Sequence, residues 1–312
     1  MGFGQGQGRD HLNPQTTDQA FQAYESVRHR LPSITRAGAC QRVQTLDDIA
    51  DQFDVFLLDA FGVLNIGETA IEGVPDRVAG LQASGKQVLV VTNAAGYPHA
   101  SLMAKYSRLG YDFSAKDVIS SRKTILHAVR SEHTQAWGVI ATEALGRQDI
   151  DHLDMKFLAE DARQYSDAAG FLMLGSAAWT EERQVLLEAS LAQKPRPVLV
   201  GNPDIVAPRE DGFSIEPGQY AHRLADMTGI TPRFFGKPFQ NIFDLVFARL
   251  GSGVDPARVV MVGDSLHTDI LGGQAAGVRT ALIEGFGFFA GHTVAPYIQA
   301  SGIQPDFILE RP

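Results

Sequence analysis

The sequence predicts an α/β protein, a parallel-sheet core interrupted by a second, smaller α/β unit. Three observations predict it. Short apolar runs rich in β-branched residues alternate with helical patterns, the arrangement of βαβ units. The runs at 54–58, 87–91, 258–263 and 279–283 are continuously apolar rather than alternating, as strands covered on both faces are. A middle stretch has its own strand and helix rhythm, after which the first pattern resumes.

Each element has a local reason. Residues 1–19 are polar and rich in Gly and Gln, which predicts a flexible extension. Residues 18–30 form an amphipathic helical pattern stopped by Pro32, expected to pack on the main body. The run DVFLL at 54–58 ends at Asp59, and a helical stretch at 75–84 ends at Gly85. QVLVV at 87–91 then leads into Thr92 and Asn93. In the middle, apolar runs at 136–140, 170–174 and 197–200 alternate with helical patterns at 155–165 and 180–192. RVVMVG at 258–263 precedes Asp264, and RTALI at 279–283 precedes Glu284 and Gly285. The expected organisation is an N-terminal extension at 1–35, a core in two parts at 36–134 and 229–312, and an inserted α/β unit at 135–228.

Composition narrows the function. Among 312 residues, 27 Lys and Arg stand against 36 Asp and Glu, a net charge of −9. Proteins that neutralise nucleic-acid backbones carry the opposite excess, so no nucleic-acid partner is expected. Cys40 is the single cysteine, which excludes an intramolecular disulfide framework and fits a reducing compartment. The N-terminus has no apolar signal-peptide run, and no stretch is apolar enough to span a membrane. A cytoplasmic protein with no membrane partner is the expectation.

Parallel sheets bind ligands in the crevice outside the carboxyl ends of their strands. Asp59, Thr92 and Asp264 each stand just past or at such an end, so the three could converge. Taken singly, each could equally be a turn or cap residue. Their surroundings decide. The strings LLDAFGVL (57–64), VVTNAAG (90–96), FFGKP (234–238) and MVGDSLHTD (261–269) stand in the order and context of four motifs. They resemble those of the HAD superfamily. IEGV (71–74), GNPD (201–204) and TDILGGQAAGV (268–278) are similar to subfamily IIA, the NagD-like and p-nitrophenyl-phosphatase-like proteins.

The resemblance implies a Rossmann-like HAD core with a C2-type α/β cap at 135–228. It implies a HAD-like hydrolase, a phosphoric monoester phosphatase that uses Mg²⁺ and acts on a small phosphorylated metabolite such as a sugar phosphate, a nucleotide or pyridoxal phosphate. Asp59 would be the nucleophile, as carboxylates are in other covalent mechanisms. Thr92 would place its hydroxyl and N–H on the phosphate, with Asn93 fixing the loop or facing the substrate. Lys237 would offset charge on Asp59 and the phosphate. Asp59, Asp264 and the backbone carbonyl of Phe61 would hold the metal, an oxygen donor set that suits a hard cation. Asp269 would stand behind them, orienting Lys237 or a metal-bound water. Many cap-bearing relatives dimerise, which leaves a homodimer open.

One position departs from the pattern. The family's phosphatases typically carry a second Asp two residues after the nucleophile, as proton donor and then base; here that position is Phe61. Such help is worth about 10²–10⁴-fold. Three readings follow: a slowed phosphatase, a phosphate-ligand binding or regulatory protein, or a carbon–halogen hydrolase, since DAFG resembles the D-x-Y-G of haloacid dehalogenases. In the first, the leaving group needs little protonation, or Asp204, Glu210, Asp211 or His222 supplies the proton. Arg209 and His222 could meet an anionic substrate, but a solvated surface role is the plainer expectation. Phe286, Phe288 and Phe289 could rim the site, though core packing or a dimer contact is the safer reading.

Overall fold

The structure, a computed structural model, describes residues 14–132, 136–209 and 212–312. Its main sheet has seven strands, all parallel. In spatial order they are Gln41–Val43, Phe307–Leu309, Arg279–Ile283, Val259–Gly263, Val55–Leu58, Gln87–Thr92 and Val118–Ser120. The four runs read as buried strands are four adjacent interior strands. Alternate residues feed two layers. Val55, Leu57, Leu89, Val91, Val259 and Met261 pack under the helix Gln240–Leu250. Phe56, Leu58, Val88, Val90, Val260 and Val262 pack on the opposite side with the helices Val74–Ala83 and His99–Arg108. Coverage on both faces is why these strands carry no polar alternation.

A second parallel sheet is built from five strands in the order Arg233–Phe234, Val198–Val200, Gly170–Met173, Trp137–Ile140 and Met155–Phe157. It lies in sequence between the strands Val118–Ser120 and Val259–Gly263 of the first sheet, so the α/β insertion is real. Its last strand lies past the boundary expected at 228, because Arg233–Phe234 pairs with Val198–Val200. The stretch 155–165 is not one helix. Met155–Phe157 is a strand beside Trp137–Ile140, and the helix Ala162–Asp167 starts only where Asp161 caps it by accepting from the Arg163 N–H at 3.0 Å. The edge strand is three residues long and half-exposed, which leaves too few residues for its own periodicity to show. The helix Glu181–Gln193 follows its cap Thr180 as expected.

The N-terminal helix runs Thr17–Ser26 and then tightens into a 3₁₀ turn at Arg28–Arg30 before Pro32. Thr16 and Gln19 form a reciprocal capping box. Among the described residues no helix is long and apolar enough to cross a membrane.

The chain that follows is tied to the sheet by Asp306, whose side chain is 3% exposed. Arg36 grips it with two nitrogens at 2.7 and 2.5 Å, and Thr280 donates its N–H and hydroxyl at 2.9 and 3.1 Å. Burial alone would raise the pKa of this carboxyl; Arg36 and Thr280 outweigh it and hold the group below the ordinary carboxylate value of 3.8. A depressed folded pKa stabilises the protein above the unfolded value, and the contribution is lost as pH falls through the folded one. Asp306→Asn is expected to lower the unfolding free energy by about 2–3 kcal/mol at pH 7. In urea titrations the gap to the parent should narrow below pH 4.

Candidate active site

The carboxyl ends of three adjacent central strands build the site. Leu58 registers with Val262 on one side and Val90 on the other, so the residues that follow emerge side by side. Asp59 is held by its N–H donating to the Val262 carbonyl at 2.9 Å. Thr92 ends its strand, buried, with its hydroxyl accepting from the Ala94 N–H at 3.3 Å. Asp264 directly follows Gly263.

Lys237 enters from the segment after the second sheet and is 1% exposed. Its Nζ lies 2.6 Å from Asp59 Oδ1 and 2.7 Å from Asp269 Oδ1. Burial would lower the lysine pKa, but Asp269 and Asp59 more than offset it and hold the ammonium charged, with its pKa above the ordinary value. The other Asp269 oxygen accepts from the Ser265 N–H at 3.1 Å. Both Asp269 oxygens are therefore engaged within the protein.

Asp264 accepts the Phe288 N–H at 2.8 Å. Burial pushes its carboxyl well above the ordinary carboxylate value, and Asp269 and Asp59 add to this. Burial also lifts Asp269 to about 6 despite Lys237. One oxygen from each of Asp59, Asp264 and Asp269 falls within a 4.8 Å span. Three carboxylates against one ammonium leave a negative site of oxygen donors, a set that fits a hard divalent cation.

Asn93 locks the lysine in place. Its Oδ1 accepts from the Lys237 N–H at 2.8 Å, and its Nδ2 donates to the Lys237 carbonyl at 2.9 Å and to Asp204 Oδ1 at 2.8 Å. Those bonds occupy both ends of the amide, so the arrangement gives Asn93 a loop-fixing role rather than a free face toward a ligand. A Cβ at Gly236, whose φ is +126°, would stand 2.5 Å from Asn93 Oδ1, so the glycine before Lys237 is what lets these two segments meet.

Phe61 sits beside the site, half-buried, and its backbone bridges to Asn65. The other candidates divide. Asp204 reaches the site through Asn93, and burial pushes its carboxyl up to about 8 against that hydrogen bond and the charge of Lys237. His222 is neither on the surface nor at the site. It is 2% exposed and stacked on Phe234 at 4.8 Å, and burial lowers its pKa to about 3. Arg209 is turned into its own hairpin, donating to Ser214 at 2.8 Å and Glu216 at 3.1 Å. Glu210 and Asp211 lie outside the described residues. Phe288 and Phe289 are buried beneath the N-terminal helix and so form no exposed rim, whereas Phe286 is part-buried against the core.

Two contributors had no side-chain signature: the Phe288 N–H on Asp264 and the Ser265 N–H on Asp269. Their only trace in the sequence is glycine. A Cβ at Gly287, φ +71°, would fall 1.9 Å from Asp264 Oδ2.

Two family descriptions match this architecture. The model of haloacid dehalogenase-like hydrolases matches residues 56–155, and the HAD-hydrolase-like model matches 234–311, so the matches flank most of the insertion. The chain belongs to the haloacid dehalogenase-like hydrolases. Within this HAD superfamily it groups with the NagD-like and nitrophenylphosphatase-like proteins of subfamily IIA. It is 26% identical to phosphoglycolate phosphatase 1A, chloroplastic, of Arabidopsis thaliana, over 91% of this chain and 82% of the relative. It is 28% identical to chronophin of Bos taurus, over 78% and 86% respectively. Its fold matches a possible sugar phosphatase of Cytophaga hutchinsonii with a TM-score of 0.76 at 23% identity, covering 87% of this chain and 98% of that one. A haloacid dehalogenase-like hydrolase from Brucella suis 1330 superposes with a TM-score of 0.71 at 25% identity, over 86% and 99%.

Gly287→Ala tests the backbone cradle of this HAD site. The added methyl would collide with Asp264 in a left-handed backbone conformation. We expect a loss of about 2–3 kcal/mol in chemical denaturation, with Gly291→Ala, whose Cβ meets nothing within 4 Å, losing less because only the backbone strain applies.

Proposed function

We propose that this HAD protein is a Mg²⁺-dependent phosphatase that cleaves small phosphate monoesters through an aspartyl-phosphate on Asp59. The observation that carries the proposal is the seating of Lys237 between Asp59 and Asp269, beside Asp264, at adjacent strand ends. A buried ammonium and a trio of carboxylates suit phosphoryl transfer, whose transition state needs charge neutralisation and positioning more than covalent machinery.

Asp59, Asp264 and the Phe61 carbonyl would hold Mg²⁺. When bound, the ion would offset the charge of the phosphoryl oxygens and keep the Asp59 carboxylate from repelling them. The full engagement of Asp269 by Lys237 and Ser265 supports an orienting role for it.

In the first step a carboxylate oxygen of Asp59 attacks phosphorus in line and the ester P–O bond breaks. Lys237 balances the charge carried by Asp59 and the transferred oxygens, and Thr92 donates its hydroxyl and N–H to the phosphoryl group. In the second step water attacks phosphorus, the bond to Asp59 breaks and free phosphate leaves. A departing oxygen that is not stable as an anion takes its proton from solvent in the first step, and the attacking water gives up its proton to solvent in the second, since Phe61 can neither give nor accept one. The enzyme is therefore fastest on esters whose leaving group departs without protonation, and slow on alkyl esters. The names of its relatives span phosphoglycolate, 4-nitrophenyl and D-glycerol 3-phosphate phosphatases, which supports a small-metabolite substrate. The acidic charge balance and the single cysteine support a cytoplasmic setting without nucleic acid.

With millimolar Mg²⁺, hydrolysis of p-nitrophenyl phosphate is expected, falling to background in Asp59→Asn. Phe61→Asp should raise hydrolysis of alkyl phosphates by about 10²–10⁴-fold and that of p-nitrophenyl phosphate much less. No turnover of any ester, together with a melting temperature raised by inorganic phosphate, would instead establish the binding reading that Phe61 favours. Chloride release from 2-chloropropionate would establish carbon–halogen hydrolysis.

A further inference from the structure

The N-terminal helix belongs to neither sheet, yet it touches both halves of the molecule. Its buried residues Ala20, Phe21 and Tyr24 share one apolar cluster with Ile205 and Val206 of the insertion and with Leu266, Ile270 and Phe288 of the core. On the core side, the Tyr24 ring stacks flat on His267, with centroids 5.0 Å apart and planes 9° apart, and Phe21 meets the same imidazole edge-on at 5.3 Å. Glu25 Oε1 lies 2.5 Å from His267 Nε2. His267 stands in the helical turn Leu266–Ile270, between Asp264 and Asp269, so the N-terminal helix is seated on the segment that carries the acidic residues. The Thr17 hydroxyl donates to the Phe288 carbonyl at 3.2 Å, and the Phe288 N–H is the one that holds Asp264.

On the insertion side, the Tyr24 hydroxyl accepts the Ile205 N–H at 3.1 Å, one residue beyond Asp204, and Arg30 pairs with Asp226 at 2.5 Å. Tyr24, 3% exposed, is thus a wedge with its ring on the helical turn that carries Asp269 and its hydroxyl on the loop of the insertion that reaches the site through Asn93.

We infer that the helix Thr17–Ser26 is a strap that holds the insertion down on the core, and that Tyr24 is a specificity-determining residue that limits the bulk of the ester admitted. The inference rests on the phosphatase reading for its substrates, but not for the strap itself. Two chain crossings join insertion to core and would by themselves allow hinge motion of the kind that admits substrate in many enzymes. A third tie, packed on both sides, removes most of that freedom. Holding the insertion in place over the strand ends that carry Asp59 would favour esters with a small leaving group.

The test uses the full chain with Cys40→Ser and one spin label on each half. Ala83→Cys and Val185→Cys serve, both positions being exposed. The parent should give a single narrow distance distribution, and Tyr24→Ala a broad one extending to longer distances. In parallel, the ratio of kcat/KM for 4-methylumbelliferyl phosphate to that for phenyl phosphate should rise about tenfold or more in Tyr24→Ala. Tyr24→Phe keeps the ring stack and loses only the acceptor, so it should fall between the two and guards against an unfolded alanine variant. A parent distribution already as broad as that of the variants overturns the strap. Narrowed or unchanged distances with an unchanged size ratio overturn it too. Absence of turnover in every protein would sink the phosphatase reading while the distance measurement still judges the strap.

Discussion

One buried ammonium organises this molecule. Lys237 lies between Asp59 and Asp269 with almost no solvent. A charge in that position is tolerable only when its partners hold it from more than one side. Asp59 follows the strand Val55–Leu58, Asp269 lies in the helical turn after the neighbouring strand Val259–Gly263, and Lys237 comes from a segment that reaches the site only after the chain has built a second sheet. The backbone of Lys237 is clamped at its N–H and its carbonyl by Asn93 from a third strand end. The ion pairs therefore depend on the register of three strands and on the return path from the insertion. Displacing any one of them would leave a buried charge without a partner.

The same clamp makes the insertion part of the site. Asn93 also donates to Asp204, so the loop that fixes the lysine is bonded to the insertion. A Cβ at Gly201 would meet Ala95 and Ile125, and Gly96 lies against the Leu174 carbonyl. Loops of the second sheet are thus packed on the Thr92–Gly96 turn. The N-terminal helix packs on the same junction through Tyr24, which stacks on His267 and accepts from the Ile205 N–H.

Much of this is legible in the sequence because its physical causes are local. Strands covered on both faces must be apolar throughout, and the polar residue after each must lie at the ligand-binding edge of a parallel sheet. On that ground Asp59, Thr92 and Asp264 could converge; the motif strings around them, with Lys237 as a charge in an apolar run, single them out. Where the sequence misleads, the cause is pairing. Met155–Phe157 is a strand only because Trp137–Ile140 lies beside it, and its three residues carry no period of their own. His222 reads as a polar surface residue, yet it stacks on Phe234 inside the insertion. Phe288 and Phe289 read more safely as core or a dimer contact than as an exposed rim, and the N-terminal helix covering them makes them core.

The sequence by itself determined the class of fold and the interruption of the core by a second α/β unit, because periodicity and strand burial are properties of short segments; the candidate chemical residues were marked by the resemblance of four motifs. Only the tertiary structure decided how those residues are shared out. Asp269 faces the lysine with both oxygens engaged, Asn93 is taken up by Lys237 and Asp204, and main-chain N–H groups of Ser265 and Phe288 hold the acids. Hydrogen bonds and ion pairs join residues far apart in the chain, and a backbone donor has no side chain to announce it. Their partners exist only once the strands are in register.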